Sequence, residues 1–314
     1  MLVTDDRHAG DMISEGHIDN CLRRAVEEGM DPIDAIKMVT LKSAEYFRLP
    51  DLGGLSPGKS ADIVIVDDLR NFRAEIVLIN GRLVAKKGKY LGDISKKTPK
   101  VTAGAINIGV LKPEHLQIRH PSVNNGKVIV RVIGLIKDQI FTEEHHCEIN
   151  VVNGVVDSDP SRDILKICVV ERYKGSGRIG KGFVKGFGLR SGAIASTVAH
   201  DSHNIIAVGV NDRDIYRAIL RLKEINGGFV IVDGGKVLDD LPLPVAGLMT
   251  YLKADKVAEK TKSLETIAAQ LGCKVRNPFM ALSFLSLPVI PNLKITDYGL
   301  IDAEELRVVN LFVD

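Results

Sequence analysis

Long apolar runs, clustered cysteines and a surplus of either charge are all missing from this 314-residue chain. No apolar run approaches the roughly 18 to 20 residues of a membrane-spanning helix, and no basic, apolar, small-residue succession marks a secretory leader. The four cysteines, Cys21, Cys147, Cys168 and Cys273, are scattered without a Cys-x-x-Cys pair. That excludes a disulfide framework and a zinc ribbon, and it leads to the expectation of reduced thiols in a cytoplasmic protein. Lys and Arg number 42 against 40 Asp and Glu. Bulk charge therefore marks neither a nucleic-acid nor a membrane surface, and a small-molecule ligand is the default. There is no internal repeat and no low-complexity tract.

What is present is ordinary globular material, with 45% hydrophobic residues, enough for two or three domains. Residues 17–29 place Ile18, Cys21, Leu22, Ala25 and Val26 on one helical face, with Gly29 as the stop. A second, single helix is predicted within residues 31–47, from Asp31, the N-cap, with Pro32 at the first helical position and apolar Ile33, Ile36 and Val39. From residue 53 turn residues lead into a β-branched run, Ala61 to Val66, and Asn80-Gly81 predicts a tight hairpin. The polar, basic stretch DISKKTPKVTAG, residues 93–104, reads as a linker or surface crossing. Beyond it the pattern predicts strands at Lys127 to Ile136 and Asp163 to Val170, and a helix at Asp212 to Ile225. A hairpin on Gly234-Gly235, a helix at Ser263 to Leu271 and an apolar tail from Pro278 to Pro291 complete the reading.

Four stretches could carry chemistry. Thr4-Asp5-Asp6-Arg7-His8 follows apolar Leu2 and Val3, so the carboxylates either cap a frayed end or stand at the C-terminal end of a strand, where β/α barrels keep their catalytic groups. His200-Asp201-Ser202-His203 brings two imidazoles and a carboxylate together, as a metal or ligand site or as a polar turn. Gly175 to Gly180 spells G-x-G-x-x-G, but glycines continue where the nucleotide-binding helix would begin, so a loop or strand allowing close backbone approach is preferred. Residues 143–148, EEHHCE, read as a polar strand or loop and not a metal site, since adjacent strand residues face opposite ways. His8 and His17 read as structural or surface histidines. The cytidine-deaminase pattern, H-x-E with P-C-x-x-C, is absent.

The signature Gly54, Leu55, Pro57, Gly58, Ala61 and Asp62, following an Asp-ended strand and two amphipathic helices, resembles the C-terminal part of the amidohydrolase superfamily. TDDRH with residues 15–40, then ERYKGSGRIGKGFVKGFGLRSGAIASTVAHDSHNIIAVG and NPFMALSFLSLPVIPNLKITDYGL, closely resemble the adenine deaminases of that superfamily over essentially the whole chain. The resemblance implies a mixed α/β and β fold. Residues 1–52 would supply the last strand and helices of a TIM barrel, 53–98 a segment of a composite β-sandwich, and 99–314 an α+β C-terminal domain.

It also implies metal-dependent deamination of adenine to hypoxanthine and ammonia in purine salvage, with a divalent metal pair (Mn2+ or Fe2+) activating the attacking water. Asp5 would be general base and metal ligand. Asp6 and Arg7 would bind the purine or brace Asp5, His203 would bind the purine, and His200 is a further candidate metal ligand. The family's His-x-His motif is absent. An incomplete or split form is therefore expected, completed by an N-terminal barrel fragment or subunit and forming a homo-oligomer. The alternatives are a non-catalytic binding or complementing module, and an amidohydrolase acting on another cyclic amidine or amide.

Overall fold

The computed structural model describes residues 1–92 and 106–313; the expected linker, residues 93–104, therefore lies outside the described residues. The chain divides into two compact units, Met1–Pro99 with Lys253–Ala258, and Lys100–Leu252 with Glu259–Asp314.

The first unit begins with four helices, α1 (Ala9–Ser14), α2 (Ile18–Glu27), α3 (Pro32–Val39) and α4 (Leu41–Tyr46). Gly29 ends the second helical passage at φ +98°, a left-handed conformation that suits glycine. Asp31 caps α3 as its composition predicts, its carboxylate accepting from the Ile33 and Asp34 N–H groups at 2.9 and 3.1 Å. The predicted single helix is instead broken at Thr40, whose hydroxyl donates to the Ile36 carbonyl at 2.7 Å. Leu22, Ala35 and Phe72 form a small core. An antiparallel sheet follows in sequence order, β1 (Ile63–Val66), β2 (Ala74–Ile79), β3 (Arg82–Lys86) and β4 (Lys89–Tyr90). Asn80 and Gly81 turn the β2–β3 hairpin at φ +48° and +74°.

One expectation fails here. Residues 1–8 form no strand. A strand exists through its ladder, and Leu2 instead donates its N–H to the Met38 carbonyl on α3 at 3.2 Å.

The second unit is built on an eleven-stranded sheet. Its strands are β5 (Ile118–Arg119), β6 (Gly126–Leu135), β7 (Thr142–Val152), β8 (Val155–Val156), β9 (Leu165–Val170), β10 (Ile179–Lys185), β11 (Ala193–Ser196) and β12 (Ile205–Gly209). Helix α5 (Asp212–Glu224) precedes β13 (Gly228–Asp233) and β14 (Lys236–Pro242). Then come α6 (Ala254–Gln270), α7 (Pro278–Phe284), a three-stranded sheet of β15 (Leu293–Thr296), β16 (Gly299–Asp302) and β17 (Arg307–Val309), and finally β18 (Phe312–Val313). The spatial order is β14-β13-β11-β12-β9-β10-β6-β7-β8-β5, with β18 beside β6, and only the β10–β6 pairing is parallel.

Every residue of β9, β11 and β12 is buried, Lys166 and Ser196 among otherwise apolar residues, because the sheet is covered on both sides. Asn211 caps α5, which lays Ile215, Ala218, Ile219 and Leu222 on β11 to β14. Helix α7 packs on β11 and β12, and β15 and β16 pack on β10. That last contact accounts for Gly180 and Gly182: a Cβ on Gly180 would lie 1.8 Å from the Thr296 carbonyl oxygen, and one on Gly182 would lie 2.9 Å from the Leu300 side chain. Strand β10, not a helix, follows G-x-G-x-x-G, which removes the dinucleotide reading. EEHHCE is a polar stretch of β7, with His145 and Glu143 on one face and His146 and Glu144 on the other. The apolar tail contains α7, with Pro278 at its start.

Candidate functional residues in the two units

In the first unit the leading segment runs beside the helices through scattered polar contacts. The Cys21 thiol lies 3.8 Å from the Val3 carbonyl, and the Thr4 hydroxyl lies 3.2 Å from His17 Nε2. Asp5 is exposed, with φ +51°, and its Oδ1 accepts from the Asp6 N–H at 2.8 Å. Asp6 is also exposed. Arg7 is largely covered and donates to Glu15 at 2.6 Å, so its guanidinium braces α1. His8 is the residue before α1; burial lowers its pKa, opposed by the carboxylates of Asp11 and Asp6. His17 stands at the start of α2.

Between the helices and the sheet of this unit lies a concavity of about 1610 Å3, walled by Leu22, Ile36, Phe47, Leu55, Val64 and Phe72. Asp5 and Asp6 are not among its walls.

In the second unit, polar residues gather where β9 and β11 end and β10, β12 and β13 begin. The HDSH stretch is the turn between β11 and β12. It is tied down from several sides. The His200 N–H donates to the Ser283 carbonyl at 3.3 Å, the Ser286 hydroxyl donates to the His200 carbonyl at 3.1 Å, and the His200 ring packs 4.9 Å from Phe284. The His200 and His203 rings are 5.6 Å apart. His203 Nδ1 accepts from the Ala199 N–H at 3.2 Å, which puts the proton of the neutral ring on Nε2. Asn204 is buried and donates to Asp297, which also takes Arg178; the Arg178 guanidinium lies 4.0 Å over the Tyr298 ring.

Composition alone did not single out Glu171, Arg172 or Tyr173. Glu171 Oε1 accepts from the N–H groups of Tyr173 and Lys174 at 2.6 and 2.8 Å, and Oε2 accepts from the Ser176 hydroxyl at 2.9 Å. These donors outweigh its burial and hold the carboxyl at about 2. The glycine-rich loop is thus wrapped around one anion. An acid four residues ahead of a Gly-Ser-Gly loop was the available signal.

The divalent pair can be tested against these donor sets. Among the described residues no group of three or more His, Cys, Asp or Glu side chains converges on a metal position. Asp5 and His200 each offer single donors, too few for a metal pair, and no chemical step is assigned to metal here.

Two comparisons with known proteins bear on these sites. Residues 1–84 match the amidohydrolase family, and residues 139–307 match the adenine deaminase C-terminal domain. That second match takes in more than half of the chain, which therefore belongs to the adenine deaminase C-terminal domain family. The chain is 40% identical over 317 residues to an adenine deaminase of Clostridium botulinum (strain ATCC 19397 / Type A), covering 100% of this chain and 53% of that protein. It is 44% identical over 312 residues to an adenine deaminase of Desulfatibacillum aliphaticivorans, covering 99% and 54%. With adenine deaminase 1 of Carboxydothermus hydrogenoformans the identity is 44% over 310 residues, covering 98% and 51%. The chain spans about half the length of the curated relatives it matches.

Proposed function

We propose that this chain supplies part of a metal-dependent adenine deaminase, converting adenine and water to hypoxanthine and ammonia in cytoplasmic purine salvage. The observation that carries the reading is identity of 40% to 44%, along nearly every residue, with proteins of that name. In this reading residues 1–52 belong to the end of a barrel, 53–98 to a composite β-sandwich and 99–314 to the C-terminal domain. Asp5 is the general base and a metal ligand, Asp6, Arg7 and His203 contact the purine, and His200 is an auxiliary metal ligand. An exposed Asp5 suits this role only when further barrel strands enclose it, because a general base must reach the water it deprotonates in a shielded site.

The reading accordingly needs an amidohydrolase barrel segment, in cis or as a separate subunit, and a homo-oligomer is the expected assembly. The apolar concavity beside β1 supports a complementing role for this chain. The test is to follow the ultraviolet change from adenine to hypoxanthine with Mn2+, using the chain alone and the chain co-expressed with the barrel segment of the Desulfatibacillum relative. Turnover only in the second case, lost by at least about a hundredfold in Asp5→Asn, is the expected result. Robust turnover by the chain alone would refute the shared-site reading. A folded, stable complex without turnover would leave the chain a binding module.

A further inference from the structure

The end of the large sheet carries an arrangement with more order than a connecting turn requires. Arg172 is a buried cation, 5% exposed. Its Nε donates to the His203 carbonyl and its Nη2 to the Ala246 carbonyl at 2.8 Å, and among the described residues no carboxylate pairs with it. Burying a charge without an opposite one is costly, so a clamp of this kind persists where it holds something in place. What it holds is the turn. The His203 N–H returns to the Ala199 carbonyl at 2.6 Å, and His203 itself sits at φ +51°, a left-handed conformation uncommon outside glycine.

The guanidinium also lies 4.7 Å from the centre of the Tyr173 ring. The phenol oxygen of Tyr173 donates to the Ser202 carbonyl at 2.7 Å, yet the residue remains 54% exposed. A fixed, half-open aromatic ring therefore stands against the tip of a fixed turn, and the Asp201 side chain at that tip is 82% exposed. Rigid aromatic surface next to a hydrogen-bond acceptor recognises flat molecules that carry N–H donors.

We propose that Tyr173 and the Asp201–Ser202 tip form a binding site for the amino-bearing edge of a planar nitrogen heterocycle, with Arg172 as the positioning residue. The ring of the ligand stacks on Tyr173, and its N–H groups are taken by the Asp201 carboxylate. The Ser202 hydroxyl meets a ring nitrogen. The choice of adenine as the ligand rests on the deaminase reading; the geometry itself requires only the class.

Adenine is titrated into the isotope-labelled full chain while the amides of residues 172–174 and 199–204 are followed, with cyclohexylamine as an amine that has no aromatic plane. The chain contains no tryptophan, so tyrosine emission gives a second reading. Saturable shifts with adenine alone are expected, weakened about tenfold in Tyr173→Ala, as for other stacked bases, and retained largely in Tyr173→Phe. Asp201→Asn, at an exposed position, weakens binding severalfold without altering the sheet amides. In Arg172→Lys, faster exchange of the His203 amide accompanies weaker binding, while the β9 and β12 amides report an intact fold. Unmoved amides, equal response to cyclohexylamine, or parent-like binding by both Tyr173→Ala and Asp201→Asn overturns the proposal. Turnover in the co-expression test with unmoved amides here defeats this site and keeps the deaminase reading without its His203 contact; shifted amides without turnover do the reverse.

Discussion

Every residue of β9, β11 and β12 in the second unit is buried, whereas in the first unit the edge strand β1 leaves Val64 58% and Ile65 49% exposed. Apart from Lys166 and Ser196 both are apolar, so hydrophobic composition does not separate them. Coverage does. Helix α5 on one face, and α7 with the β15–β17 sheet on the other, complete the second unit from its own sequence. Among the described residues of the first unit, the buried hydrophobic residues are Leu22, Ala35, Ala44 and Phe72. The difference teaches that one unit is a finished core, and that the other keeps apolar surface of the kind that marks an interface.

That contrast can be broken most forcefully in the finished core. Phe183→Ala on β10 removes a fully buried ring from the cluster with Val132 and Ile149, and a loss of about 3 to 5 kcal/mol is expected in urea unfolding. The amides of α2 and α3 should keep their exchange rates if the two units carry separate stabilities.

A second test uses pH. Lys294 is fully buried on β15, donates to the Ile140 carbonyl at 2.8 Å, and is pushed down to about 8 by burial. Because its folded value lies below the unfolded one, the native state carries a penalty at neutral pH that is relieved between about pH 8 and 10.5. Stability should therefore rise across that window by about 2 to 3 kcal/mol, and the rise should vanish in Lys294→Met. Urea midpoints of both proteins from pH 7 to 10 measure it.

Smaller effects probe the first unit. Asp31→Ala removes two hydrogen bonds from the start of α3 and should cost about 1 kcal/mol, seen as faster exchange of the Ile33 and Asp34 amides. Ile65→Thr, on the open strand, should change stability by less than about 0.5 kcal/mol while reducing self-association in sedimentation. A larger destabilisation by Ile65→Thr than by Asp31→Ala would show that β1 is covered after all.

Local signals were legible in the sequence. The Asp31-Pro32 start, the Gly29 stop and the Asn80-Gly81 and Gly234-Gly235 turns rest on interactions within a few residues, and each appears where expected. What could not be read depended on distant partners. Leu2 and Val3 have strand-forming side chains, but a strand also needs a neighbour, and the four-stranded sheet uses other segments. Helix α6 begins nine residues earlier than its apolar spacing indicates, at Ala254 instead of Ser263, because its first half is polar. The HDSH turn was visible as a cluster of functional groups, while the clamp around it was hidden in Arg172 and Tyr173, some thirty residues away in the chain.

The pairing of β18 with β6 sets a timetable for synthesis. Phe312 and Val313 lie beside Val130 and Ile129, and Arg131 reaches the Asn310 carbonyl across 179 positions. On a ribosome, the flank of β6 left open by β10 must wait through most of the translation of the domain for its partner. Until then that flank is an unprotected template for other strands, so a nascent chain stalled before residue 310 is the species most in need of a chaperone.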